Sequence, residues 1–148
     1  MRLVPDRSFP PYAYLPGQHP HPTNDPAGHS FGEGEPDDPL AFEWGVDLYE
    51  HGYFWEAHEA WEPLWKASEG AERSLLAGLI QCAAACLKVA VGERRGARRL
   101  GERAVGHLRA VGGIARGVDA AALADGLSAW LVSEPNDASG RPRVVLSR

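Results

Sequence analysis

The chain has 148 residues, 44% hydrophobic and 24% charged, with a formal net charge of −5. These proportions are typical of one globular domain, and two cysteines are too few for a disulfide framework. Only two cysteines occur, Cys82 and Cys86, which fits a reducing cytoplasm. The sequence also lacks an unbroken run of about 18 apolar residues and an N-terminal apolar segment, so neither a membrane span nor a secretory signal is predicted.

Residues 1–38 are predicted to form an arm without regular secondary structure. Eight of the twelve prolines lie there, and proline both lacks a donor N–H and restricts the residue before it. Aromatic side chains such as Phe9, Tyr12 and Tyr14 give the arm apolar groups that can cover another surface. We therefore expect an extended strap wrapped over the domain, and the alternative is plain disorder.

Two helices are predicted directly after the arm. The first should begin at Asp38, because Asp is a good N-cap and Pro39 suits the first helical position, and it should end at Gly52. The second covers about residues 53–66. Pro63 lies inside it and removes one backbone hydrogen bond, so a kink or an early end is expected there.

Three further helices complete a predicted helical domain at residues 39–132. The helix at 71–91 is apolar on most sides, which places it in the middle of a bundle. The helices at 93–111 and 119–132 are amphipathic, and an extended tail follows at residues 133–148. The predicted fold class is all-α, a compact bundle of about five helices.

The second helix concentrates the residues that carry chemistry. Residues 52–65 hold three of the five tryptophans, one histidine and three glutamates: Trp55, Trp61, Trp65, His58, Glu56, Glu59 and Glu62. Ionisable groups beside a large aromatic face are costly to bury unless they are paired. We therefore predict a polar pocket between the second and third helices, to which the third helix contributes Gln81.

These residues also resemble a known family. The motif is Gly52-x-Phe54-x-Glu56-Ala57-His58-Glu59-x-x-Glu62-x-x-Trp65, followed by Gly78-Leu79-Ile80-Gln81-x-Ala83-Ala84. It resembles the bacterial and archaeal domain of unknown function 309 family over roughly residues 40–108. The resemblance implies a small helical protein in the cytoplasm, and it transfers no established activity and no catalytic residue.

A divalent-metal site is the first hypothesis for the pocket. His58 and Glu62 are separated by four residues and project from one side of the helix, and imidazole with carboxylates can hold zinc, iron or manganese. In this interpretation His58 and Glu62 are the metal ligands, and Glu59 acts with His58 in catalysis as the general base of a hydrolase. The arm offers further ligands in His19, His21 and His29.

The pocket has other candidate contacts and other interpretations. Five residues are candidates for contacts with a small molecule: Glu56, Gln81, Trp55, Trp61 and Trp65. A second hypothesis is a buried polar network that only fixes how the helices pack, in a non-catalytic module that binds a protein partner. A third is acid–base catalysis without a metal, although the sequence offers no supported nucleophile.

The fourth predicted helix carries a basic ridge that includes Arg94, Arg95, Arg98 and Arg99. Residues 73–116 have 9 basic and 2 acidic side chains, whereas residues 1–72 have 3 basic and 14 acidic ones. The ridge could contact an anion, a partner or solvent. The overall pI near 5.6 disfavours a dedicated nucleic-acid binder. The sequence leaves the substrate, partner and oligomeric state open.

Overall fold

A computed structural model describes residues 2–25 and 37–147 of the chain. The described residues form five helices: α1 Ala41–Glu50, α2 Phe54–Ala67, α3 Gly70–Ala90, α4 Arg94–Ala110 and α5 Ala120–Val132. A short 3-10 helix spans Pro22–Asn24. Two strands of two residues each, β1 Ile114–Ala115 and β2 Val118–Asp119, pair as an antiparallel hairpin between α4 and α5. The predicted all-α fold class is confirmed.

The central helix of the bundle is α3, which contacts both α2 and α4. Its apolar residues Leu75, Leu76 and Leu79 are almost fully buried, as its all-round hydrophobicity predicts. By length and mean hydropathy alone α3 is apolar enough to cross a membrane, although half of its most apolar window is buried inside the bundle. A core helix packed on several sides has the same composition, so this property is weak evidence for a span.

The predicted start of α1 is wrong, and the predicted span of α2 is confirmed. α1 begins at Ala41, with Leu40 as its N-cap. The Asp38 carboxylate accepts the N–H of Leu40 at 2.9 Å and pairs with Arg7 of the arm at 2.8 Å, so Asp38 anchors the arm and is not the N-cap. α2 continues through Pro63 to Ala67, so the alternative of an early end at the proline is wrong.

The described part of the arm lies on the helices through backbone and ring contacts. The carboxylate of Asp47 in α1 accepts the N–H groups of Leu3 and Val4, each at 2.8 Å. Phe9 stacks between Trp44 and Tyr53 with ring centroids 5.6 and 4.9 Å away. These contacts bury apolar surface and satisfy backbone donors, which is how an irregular segment becomes ordered without a strand or helix.

The C-terminal tail covers the end of α1. The Arg141 guanidinium donates to the carbonyl oxygens of Tyr49 and Glu50 at 3.0 and 2.7 Å, which have no partner within the helix itself. The N–H of Val144 donates to the Glu50 carboxylate at 3.0 Å, and Val144 is buried. The tail thus lies in extended form on the same helix that holds the arm.

Candidate functional site

His58 of α2 lies between two carboxylates of its own helix. Its Nδ1 is 3.3 Å from Glu59 Oε1, and its Nε2 is 3.2 Å from Glu62 Oε2. One ligand atom from each of the three residues falls within 4.8 Å of the others. Among the described residues this is the only cluster of three or more His, Cys, Asp or Glu side chains with that geometry.

The two carboxylates change the protonation of the imidazole. Burial is the largest single influence and lowers the pKa of His58, because it disfavours the charged ring. The hydrogen bond to Glu59 and the charges of Glu59 and Glu62 act in the other direction and together outweigh burial, so the pKa lies above its ordinary value of 6.5. The ring is therefore stabilised as a cation while no other cation competes for the carboxylates.

A cleft of about 440 Å³ opens beside His58, within the size range of small-molecule sites. We name it the α2–α4 cleft, because its walls come from α2, α3 and α4. The contributions of α2 are His58, Glu62 and Trp65. From α3 come Gly70, Arg73, Ser74, Ala77, Ile80 and Gln81, and from α4 comes His107.

Two polar side chains on the α3 wall have unused hydrogen-bonding capacity. Gln81 Oε1 is buried and accepts no hydrogen bond from the described residues. The Arg73 guanidinium lies over the Trp65 ring, 4.2 Å from its centroid, and its Nη1 donates to the carbonyl oxygens of Trp65 and Ser68. A buried acceptor without a donor is costly, so the Gln81 oxygen marks a place where a ligand or water would be stabilising.

Four of the sequence-predicted pocket residues line the cleft, and one stands directly behind it. His58, Glu62, Trp65 and Gln81 are all on its walls. Glu59 is not, because its carboxylate meets His58 from the Nδ1 side. The structure thus brings together the two predicted metal ligands and the predicted cross-helix partner Gln81.

The other three predicted pocket residues lie elsewhere on α2. Glu56 is fully buried and accepts the N–H of Tyr14 at 2.8 Å. Trp55 packs edge-on against Tyr14, with centroids 5.1 Å apart. Trp61 is fully buried in the core, where its Nε1 donates to the carbonyl of Phe42 at 3.1 Å. These residues connect α2 to the arm and to α1, so they do not wall the cleft.

The histidines of the arm do not join the His58 cluster in the part of the chain that the structure describes. His19 accepts the N–H of Leu15 through Nδ1 at 3.1 Å and packs on Tyr12. His21 packs against Tyr14 and Trp55. His29 lies outside the described residues, so the prediction for it remains a prediction.

Three polar cleft residues, Arg73, Ser74 and His107, were missed by the sequence reasoning. Arg73 and Ser74 precede Gln81 by eight and seven residues, which is two helical turns and places all three on one stripe of α3. That spacing was available in the sequence. His107 lies on α4, and no local pattern indicates that this helix turns that residue toward α2.

The fold and this arrangement define the class: a small all-α bundle with a His/Glu-containing cleft between its central helices. Residues 42–100 match the family model described as Domain of unknown function (DUF309), the family that the sequence motif resembles. The matched segment contains every residue of the cleft except His107. Neither the curated proteins nor the solved structures include a match to this chain.

Proposed function

We propose that the α2–α4 cleft binds a divalent cation through His58 and Glu62 and, with it, a small molecule that is hydrolysed there. The observation that carries the proposal is the 3.2 Å separation of His58 Nε2 and Glu62 Oε2 at the wall of the cleft. Two ligands of a tetrahedral ion with bonds of about 2.0 Å stand about 3.3 Å apart. The two side chains therefore need little rearrangement to share an ion.

The geometry favours a positioning role for Glu59 over the general-base role that the sequence suggested. Glu59 faces Nδ1 of His58 at 3.3 Å, so it can accept the Nδ1 proton and leave the Nε2 lone pair free for an ion. Carboxylates behind metal-bound histidines commonly fix the tautomer in this way. Such a bound ion supplies a water of lowered pKa as a nucleophile.

The other walls of the cleft suit a ligand with both polar and apolar parts. Trp65, Ile80 and Ala77 offer apolar surface, while Gln81 offers an unsatisfied acceptor. We place this activity in the cytoplasm, because both cysteines are free and buried and such thiols persist in a reducing compartment. The partner of the site is an unidentified small molecule.

A second candidate is supported by the same contacts. Both nitrogens of His58 already have carboxylate partners within α2, so the cluster is also satisfied without an ion. In this alternative the residues are a stabilising network, and the protein is a non-catalytic module that binds another protein. The two candidates differ in whether a cation competes with the proton on His58.

Metal titration of protein purified without an affinity tag tests the proposal. We expect near-equimolar binding of Zn²⁺ or Mn²⁺ by calorimetry, abolished in His58→Ala and in Glu62→Gln. For Glu59→Gln we expect affinity about 10–100-fold weaker, the usual effect of removing a carboxylate behind a ligand. Glu102→Gln is the matched control, because Glu102 is an exposed acid of α4 that lies 4.0 Å from Arg98.

The absence of saturable binding by the wild-type protein would remove the cation site and favour the stabilising network. In that case His58→Ala should instead lower the free energy of unfolding by about 1–3 kcal/mol, because carboxylates lose their partner. Thermal unfolding of the same variants therefore separates the two candidates.

A further inference from the structure

The α2–α4 cleft has two chemically different ends. α2 ends at Ala67 and α3 begins at Gly70, and so short a connection makes the two helices antiparallel neighbours. Residues near the connection therefore face each other, as the 4.2 Å contact of Arg73 with the Trp65 ring shows. His58 and Gln81 lie farther from the connection, so Arg73 and Gln81 are about 12 Å apart along the helix axis.

Arg73 lies at the end of the cleft next to the α2–α3 connection, and one edge of its guanidinium has no carboxylate partner among the described residues. Its Nη1 is engaged by two backbone carbonyl oxygens, but among the described residues no carboxylate forms an ion pair with this guanidinium. Glu72, the next residue, is paired with Arg116 at 2.7 Å. The Nε and Nη2 edge of a guanidinium matches two oxygens of a carboxylate or phosphate group, and the tether through Nη1 holds that edge in place.

Two further polar residues line the cleft. Ser74 follows Arg73 on α3, and His107 comes from α4. A Cβ on Gly78 would lie 3.3 Å from the backbone nitrogen of Leu108, the neighbour of His107, so His107 is near the level of Gly78. Gly78 is five residues beyond Arg73, which is about 7.5 Å along α3, so Ser74 lies beside Arg73 and His107 lies nearer the middle of the cleft. Among the described residues, Glu62 is the only acidic side chain that lines the cleft.

We propose that this end of the cleft is an oxyanion subsite. Arg73, with Ser74, binds the carboxylate or phosphate group of a small organic molecule, and the rest of that molecule lies on Ala77 and Ile80 and points toward His107 and His58. The inference deepens the proposed function, since the far end of the ligand would reach the candidate cation site. The subsite itself uses none of the cation ligands.

Ligand titrations in EDTA test the subsite without the cation. The probes are phenyl phosphate and benzoate, which share an aromatic ring and differ in the anion, with benzyl alcohol as the uncharged analogue. Binding is followed by calorimetry and by the NMR signal of the Trp65 indole, assigned with Trp65→Phe. We expect one or both anions to saturate the protein and to shift that signal, and benzyl alcohol to bind at least about tenfold more weakly.

Variants assign the binding to Arg73. Arg73→Gln should weaken binding of the anions by about 10–100-fold, the usual loss for a hydrogen bond to a charged group. Arg73→Lys should recover part of the affinity by keeping the charge, and Ser74→Ala should weaken binding without removing the contacts of Arg73 with Trp65 and Ser68. Arg99→Gln is the matched control, because Arg99 is an exposed guanidinium of α4 outside the cleft.

Equal binding of benzyl alcohol and the anions would overturn the inference, as would unchanged affinity in both Arg73→Gln and Ser74→Ala, or no saturation by either anion. These outcomes are separate from those for the cation. Anion binding in EDTA that depends on Arg73, in a protein that binds no metal, would support the subsite and contradict the proposed cation site. Metal binding with no anion binding would support the cation site and contradict the subsite.

Discussion

Residues of the same type on α2 have different roles because each faces a different neighbour. Glu56 and Glu62 are both glutamates of one helix, yet Glu56 is fully buried against the arm while Glu62 lies on the cleft wall. Glu56 precedes His58 by two residues, which places it on roughly the opposite side of an α-helix. Trp61 and Trp65 divide in the same way between the core and the cleft.

The raised pKa of His58 predicts a pH dependence of stability in metal-free protein. A group whose pKa is higher in the folded state stabilises the fold below its unfolded pKa, and that contribution is lost as the pH rises through the folded value. As the pH rises from about 5 to about 8, the melting temperature of the wild type should therefore fall relative to that of His58→Gln. Thermal unfolding in EDTA at several pH values measures this difference.

The variant Glu62→Gln tests the cause of that effect, because the charge of Glu62 helps to raise the pKa of His58. It should remove part of the pH dependence, while Glu102→Gln, an exposed acid of α4, should leave it unchanged. A melting-temperature difference between wild type and His58→Gln that is constant with pH would contradict the argument.

At the scale of the helices, close packing depends on a few glycines. Gly45 of α1 faces Trp61 of α2, and a Cβ at Gly45 would lie 2.1 Å from the Trp61 Nε1. The absence of a side chain thus allows the indole to pack closely against α1 and donate to the Phe42 carbonyl. The indole ring is rigid and completely buried, so it cannot move away as a flexible side chain would.

We expect Gly45→Ala to reduce the free energy of unfolding by about 1–3 kcal/mol through overpacking. Gly106→Ala is the matched change, because a Cβ at Gly106 of α4 meets nothing within 4 Å. It should be neutral or stabilise the protein by up to about 1 kcal/mol, since alanine is the better helix former. Urea denaturation measures both, and equal effects would show that the indole contact is unimportant.

The helices could be predicted wherever the pattern that indicates them comes from residues close together in the chain. The positions of all five helices follow from hydrophobic periodicity and from glycines and prolines at their ends. Asp38 misled the predicted start of α1, since it lies before the helix and pairs with Arg7 of the arm, whereas Pro63 does not end α2, which continues to Ala67. The β1–β2 hairpin was not predicted, since strands of two residues carry no periodicity.

At the scale of the whole molecule, the arm and the tail meet on α1. Asp47 accepts two backbone N–H groups of the arm, and Glu50 accepts one from the tail. Asp47 is 2% exposed, so its lost hydration is offset by these bonds and by the nearby Arg2 at 3.7 Å. One helix therefore orders both ends of the described chain.

We expect Asp47→Asn to release the start of the arm, because an amide presents one donor where the two N–H groups need two acceptors. The cost should be about 1–3 kcal/mol, confined to the arm. Trypsin cleavage after Arg7, whose side chain pairs with Asp38 at 2.8 Å, should become faster. Asp125→Asn, an exposed acid paired with Arg109 at 2.9 Å, is the control, and unchanged cleavage in Asp47→Asn would refute this role.

The amino-acid sequence by itself determined the helical class, the order of the helices and the family motif that holds His58 and Glu62 one turn apart. Those properties depend on residues close together in the chain, so a periodic pattern is sufficient to read them. Only the tertiary structure decided that Arg73 and His107 join Gln81 in the cleft and that Glu56 and Trp61 do not. Which face of a helix meets which neighbour is set by packing between segments far apart in the chain, and no local pattern carries that information.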